Sequence, residues 1–260
     1  MSMLRTSNPA LNEKAFKGFD LVEDSTTMTL SGTVNKTAML LLLLVLGAGW
    51  TWHLTFAAAA QAAKGMLPIA PVAPWLIGGL IVGLICSLCI YFRPQWAPVA
   101  APIHAIAEGL FLGVISALLE MRFELIVVQA VGLTISVLAA LLMAYKSGLI
   151  RATENFKLGV CAATGAIGLV YLVGFILSFF GVRIPYIHEA GLIGICFSLF
   201  VVVIASLNLV LDFDFIEEGV NRGAPKYMEW YGAFGLLVTL VWLYIEVLRL
   251  LMKLRAASED

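Results

Sequence analysis

Four ionisable side chains stand where an apolar chain can least accommodate them. Glu108 interrupts an apolar run, and His104 lies one helical turn before it, on the same face if the run is a helix. Asp212 closes another run, shares a face with Asn208 four residues earlier, and is followed by Asp214, which points away. Glu246 lies inside Leu243-Tyr244-Ile245-Glu246-Val247-Leu248-Arg249. An ionisable group in hydrocarbon costs about 2.5 to 3.5 kcal/mol on insertion scales, so such residues are retained for a reason. For Glu108 and His104 that reason is a buried hydrogen-bonded pair between helices or a proton or cation path; two side chains are too few for a metal site. For Glu246 two roles stand equally: a station for ions, or an internal ion pair with Arg249 at i+3, on a stripe that Lys253 continues.

The elements that carry these groups follow from composition. Hydrophobic residues make up 61% of the 260 positions and charged residues 13%, about half the charged content of soluble domains. Mean hydropathy is +0.97. The apolar residues come in runs that are apolar all round, so lipid is their solvent. Runs are predicted over about 38–57, 73–92, 98–120, 124–145, 157–180, 189–211 and 230–252. Each has roughly the 20 residues that a helix needs to cross about 30 Å of hydrocarbon. None alternates apolar with polar residues, which excludes barrel strands. The fold class expected is an all-α membrane protein with seven transmembrane helices. A polar N-terminal tail (1–36), one transmembrane domain (37–253) and a short C-terminal tail (254–260) complete the expected organisation.

No apolar stretch opens the chain, so signal-peptide cleavage is not expected. The net charge of -1 and the absence of a basic cluster argue against nucleic acid as a partner. With the N-terminus cytoplasmic, the inner side carries Arg5, Lys14, Lys17, Lys36, Arg93, Lys146, Arg151, Lys157, Arg222 and Lys226. The outer side carries Lys64, Arg122, Arg183, Arg249, Lys253 and Arg255. Ten against six favours that orientation. Small residues at every fourth position mark packing faces: Ala101, Ala105, Gly109, Gly113 and Ala117; Ala190, Gly194 and Ser198; Gly79 and Gly83. Cys86, Cys89, Cys161 and Cys196 all fall inside runs and read as small packing residues, although Cys86 and Cys89 have redox-motif spacing. His53, His104 and His188 lack metal-site spacing, and no serine-nucleophile, His-Glu-x-x-His or phosphate-loop motif is present, so an enzyme is not expected.

Two segments, Leu207-Asn208-Leu209-Val210-Leu211-Asp212-Phe213-Asp214-Phe215-Ile216 and Leu243-Tyr244-Ile245-Glu246-Val247-Leu248-Arg249-Leu250-Leu251, resemble the last two membrane segments of the Bax inhibitor-1 family. Ala107-Glu108-Gly109-Leu110-Phe111-Leu112-Gly113-Val114-Ile115-Ser116 resembles that family's third segment. The tail, with Arg5-Thr6-Ser7-Asn8-Pro9 and Thr33-Val34-Asn35-Lys36-Thr37, is similar to its bacterial, YccA-like branch. The resemblance implies six helices arranged around a central C-terminal seventh and, as in some members, a pH-sensitive calcium leak in a bacterial inner membrane. It also implies a hydrogen-bonded carboxylate pair on helices six and seven with an arginine near the end of the second. By motif position these roles fall on Asp212, Glu246 and Arg93.

Two carboxylates held together in a low-dielectric interior cannot both ionise cheaply, so such a pair would titrate as a unit and act as a pH sensor. When charged, it would offer hard oxygens to a transient Ca²⁺, with Arg93 as the alternative counter-charge. This chain has glutamate where the family pattern has aspartate at position 246, and Arg93 stands alone before Pro94. If helix seven entered the bilayer at Trp230, Glu246 would lie about 24 Å further along and out of reach of Asp212. The pairing therefore needs the stretch from Lys226 to Phe234 to project beyond the hydrocarbon, or helix six to end deeper. No cofactor is expected; calcium or protons would be permeant or regulatory ions. The alternatives are a non-transporting protein that modulates a membrane protease or quality-control partner, and a proton-coupled carrier using Glu108 and Glu246.

Overall fold

The computed structural model describes residues 27–61, 69–180 and 191–259. Arg5 to Pro9, Lys14, Lys17, Lys64, Arg183, His188 and Ala190 lie outside the described residues. Seven helices follow in order: α1 (Leu30–Gln61), α2 (Ile69–Phe92), α3 (Ala97–Arg122), α4 (Ile126–Lys146), α5 (Glu154–Phe179), α6 (Leu192–Asn221) and α7 (Met228–Glu259). A single 3₁₀ turn, Pro94–Trp96, joins α2 to α3. All seven are long and apolar enough to cross a membrane.

The seven runs are all helical, but three helices outrun them. α1 starts at Leu30, inside the expected tail, α6 continues to Asn221, nine residues past Asp212, and α7 reaches Glu259. Hydropathy locates the hydrocarbon, whereas a helix stops where its backbone is turned. α6 stops at Arg222, and Gly223 with φ 65° supplies the left-handed residue after it. The α3–α4 turn is made differently. Leu125 takes φ 64°, and Glu120 holds it there: Oε1 accepts from the Leu125 N–H at 2.7 Å and Oε2 from the Val127 N–H at 3.0 Å. α5 begins at Thr153, whose hydroxyl accepts from the Phe156 N–H at 3.3 Å.

α7 packs against α1, α3, α4 and α6, while α2 packs against α3 and α1, and α5 against α6. One apolar cluster sets Leu236, Leu240, Leu243 and Val247 of α7 against Leu209 and Phe213 of α6 and Ile126 of α4. A second sets Ala233 and Leu237, on another side of α7, against Leu40 of α1, Ile90 of α2 and Ala101 and Ala105 of α3. The small-residue face on α3 accounts for the closest approach: a Cβ on Gly113 would strike the Ala48 carbonyl, and one on Gly109 the Leu44 carbonyl. The outer faces of α5, with Leu169, Leu172 and Phe175 exposed, are left to lipid.

The chain entering α1 is strapped to the α6–α7 turn. Met28 donates its N–H to the Ala224 carbonyl at 2.6 Å, Thr27 bridges Pro225, and Met28 is buried with Ile216 and Ala224. Glu229, fully buried, gathers the strap. Its Oε1 accepts from the Thr29 N–H at 2.9 Å and the Thr29 hydroxyl at 2.8 Å, and pairs with Lys226 at 2.9 Å. Lys36 donates to Oε2.

Candidate functional site

Polar side chains collect along the seam between α5, α6 and α7. Seven residues past Thr239 on α7, Glu246 is 1% exposed and accepts from two donors. The Tyr171 hydroxyl of α5 reaches its oxygens at 3.0 and 3.1 Å, and Arg249 Nη1 reaches them at 3.0 and 3.1 Å. Arg249 also donates to the Tyr171 oxygen at 2.5 Å, and its guanidinium lies 4.9 Å from the centre of that ring. One turn further, Lys253 is buried and donates to Ser198 Oγ at 2.8 Å and to the Gly194 carbonyl at 3.0 Å on α6. The small residues of α6 therefore admit a lysine as well as a helix.

Asp212 lies toward the other end of this seam. Its carboxylate is within hydrogen-bonding reach of Thr239, and one oxygen is 3.9 Å from where a Cβ on Gly235 would stand. Its Oδ2 is buried without a partner. Asn208, on the same face, donates to Thr164 Oγ1 of α5 and to the Ile204 carbonyl, both at 2.8 Å. Asp214 points away, as its spacing required, and pairs with Lys157 of α5 at 2.6 Å.

Asp212 and Glu246 share no hydrogen bond. The expected pair, and with it a joint calcium site, is corrected by the register of the two antiparallel helices: Asp212 meets α7 at Gly235 and Thr239. Thr239 and Glu246 are two turns apart, about 10 Å at 1.5 Å per residue. Both lie on one stripe of α7, at different depths. Arg93 is not the counter-charge either. It is exposed at the head of the 3₁₀ turn, has no ion pair among the described residues, and ends a helix that packs on α3 and α1. Arg249 holds the position assigned to it, as the i+3 spacing allowed.

His104 and Glu108 face α2, across Gly83. His104 Nδ1 is 3.1 Å from the Gly83 carbonyl and 3.3 Å from Ser87 Oγ, and a Cβ on Gly83 would come within 3.2 Å of Glu108 Oε2. His104 thus bonds across helices, but to α2 and not to Glu108. Its ring stands edge-on to Phe234 of α7, with centroids 5.0 Å apart, and its Nε2 is buried without a partner. The two partnerless buried polar atoms among the described side chains, His104 Nε2 and Asp212 Oδ2, therefore belong to residues that meet α7 at the adjacent positions Phe234 and Gly235.

Among the described residues no group of three or more His, Cys, Asp or Glu side chains is placed to hold a metal ion. Sequence reasoning missed three participants: Tyr171, Lys253 in its contact with α6, and Glu229. The Lys226-to-Glu229 spacing signals the last of these; Tyr171 has no local signal, because its partner is 75 residues away.

A family model described as Bax inhibitor 1 like matches residues 8–256. No curated protein and no solved structure matches the chain.

Proposed function

The chain belongs to the Bax inhibitor 1 like family, and on that premise we propose that it is a non-enzymatic, pH-sensitive, calcium-permeable leak channel of a bacterial inner membrane, with a cytoplasmic N-terminus. The route follows the α5–α6–α7 seam. The observation that carries this reading is the isolation of charged groups there: Asp212 with a bare oxygen and Glu246 clamped by Arg249 and Tyr171, between helices that are otherwise apolar. Structural packing alone does not require a partnerless buried carboxylate oxygen.

In this reading calcium meets the two acids in succession instead of between them. Asp212 offers a cation its free oxygen, whereas Glu246 is already neutralised by the tethered cation Arg249. An entering calcium ion competes with the guanidinium for the Glu246 carboxylate. Arg249, whose side chain is 33% exposed, then swings aside and the route opens. The test is calcium flux into proteoliposomes from neutral to mildly acidic pH. A pH-dependent flux that is lost in Asp212→Asn supports the channel. No flux from folded protein, with crosslinking to a membrane protease, would replace it with a modulator of protein quality control.

A further inference from the structure

The hydrogen-bond partners of His104 determine which ring nitrogen carries its proton. Gly83 O can only accept. The Ser87 hydroxyl donates to that same carbonyl at 2.9 Å, so the serine proton is committed and its oxygen faces Nδ1 as an acceptor. Nδ1, 3.1 Å from Gly83 O, is therefore the donor. A neutral imidazole has one N–H, which leaves Nε2 as a lone pair. That lone pair is buried, in a residue 4% exposed, and has no donor to accept from.

We propose that His104 is a proton-binding site in the membrane interior, locked by α2 in the Nδ1–H tautomer so that Nε2 stands open to a proton. The proton comes from water or hydronium and forms the Nε2–H bond; the Nδ1–H stays on Gly83 O, so α2 need not let go. The product is an imidazolium whose ring centre lies 5.0 Å from that of Phe234 on α7. The nearest carboxyl group on its own helix is Glu108, one turn along α3 and also against Gly83. Apart from Asp212, which faces the adjacent Gly235 of α7, no other charge competes at this depth. α2 brings Gly83 O, Ser87 and the thiols of Cys86 and Cys89; α1 has no charged side chain between Lys36 and His53; and the only ionisable group of α7 from Trp230 to Ile245 besides Tyr244 is Tyr231.

The position gives the proton a consequence. His104 touches α7 at Phe234, next to the Gly235 that faces Asp212, so a charge on the ring acts on the helix that carries Glu246 and Arg249. The site is independent of the leak reading, because it titrates whether or not ions flow.

Nitrogen-15 NMR of histidine-labelled full-length protein in lipid bilayers tests it, with the His53 and His188 signals identified by His53→Gln and His188→Gln. The expected spectrum at neutral pH shows His104 with a protonated Nδ1 and a bare Nε2, and acidification converts the bare signal to a protonated one. An Nε2–H tautomer at neutral pH overturns the proposal, as does a bare Nε2 that persists to the acid limit of the fold. The measurement uses the native residue, so it does not depend on a His104 variant folding.

Discussion

Arg249 and Glu246 are paired three residues apart on α7, with Nη1 3.0 and 3.1 Å from the two carboxylate oxygens and the Tyr171 hydroxyl bridging both side chains. Removing one member of a buried pair leaves the other uncompensated, which costs about 3 to 5 kcal/mol when both are fully enclosed. Arg249 is a third exposed, so Glu246→Gln should cost about 2 kcal/mol. Arg249→Met, which strands the buried carboxylate, should cost more. The double variant should recover most of the loss, and a thermal-unfolding cycle in detergent measures the coupling.

Asp212→Asn should separate stability from transport. The wild-type residue buries a carboxyl group with one oxygen unpartnered, so the neutral isostere should change stability by less than about 1 kcal/mol. Calcium flux in proteoliposomes should fall at least several-fold. A large loss of stability with flux intact would make Asp212 a structural residue.

The gating role of Arg249 is testable by substitution. In wild-type protein the guanidinium occupies the Glu246 carboxylate and restrains flux at neutral pH. In Arg249→Gln the tethered cation is gone, so flux should already be high at neutral pH and the profile should flatten. A variant with wild-type pH dependence excludes Arg249 as the gate.

Two neighbouring glycines of α2 should respond in opposite senses. A Cβ on Gly79 would come within 2.5 Å of the Ala107 carbonyl, whereas one on Gly78 meets nothing within 4 Å. Gly78→Ala should be neutral or stabilise by up to about 1 kcal/mol through helix propensity. Gly79→Ala should destabilise by about 1 to 3 kcal/mol, since α2 and α3 must separate. Thermal unfolding of the two variants side by side decides this.

Glu229→Gln should loosen the strap. The carboxylate serves two lysines and both donors of Thr29, and an amide can replace only part of that. Faster hydrogen exchange at the Met28 and Thr29 amides, with α4 unchanged, is the expected result. Gly32→Ala should act likewise, because its Cβ would overlap the Glu229 carboxylate.

Much of the architecture was legible because lipid imposes a simple rule: the seven apolar runs are the seven helices. Their ends were not, since Asp212 to Asn221 is polar yet helical beyond the apolar run. The site was half legible. Spacing alone placed Arg249 beside Glu246 and turned Asp214 away from Asp212. It could not give the register between α6 and α7, on which the meeting of two acids depends. Helix six ends later than the run suggested, and Asp212 meets α7 at Gly235 and Thr239, not at the level of Glu246. Tyr171 and Lys253 stayed hidden because their partners are distant in sequence and lie on helices whose mutual rotation no local pattern records.

The Glu229 clasp also bears on how the protein is made. Lys36 is among the first membrane-proximal residues to leave the ribosome, and its partner lies 193 positions later. The strap around Met28 cannot close until the α6–α7 turn and the first residues of α7 have been synthesised. Until then the first helix waits in the bilayer with an unneutralised lysine in its second turn, and a chain truncated before Glu229 would never resolve that charge. Arrival of the last helix is thus registered in the structure itself, as a contact between the first helix and the start of the last.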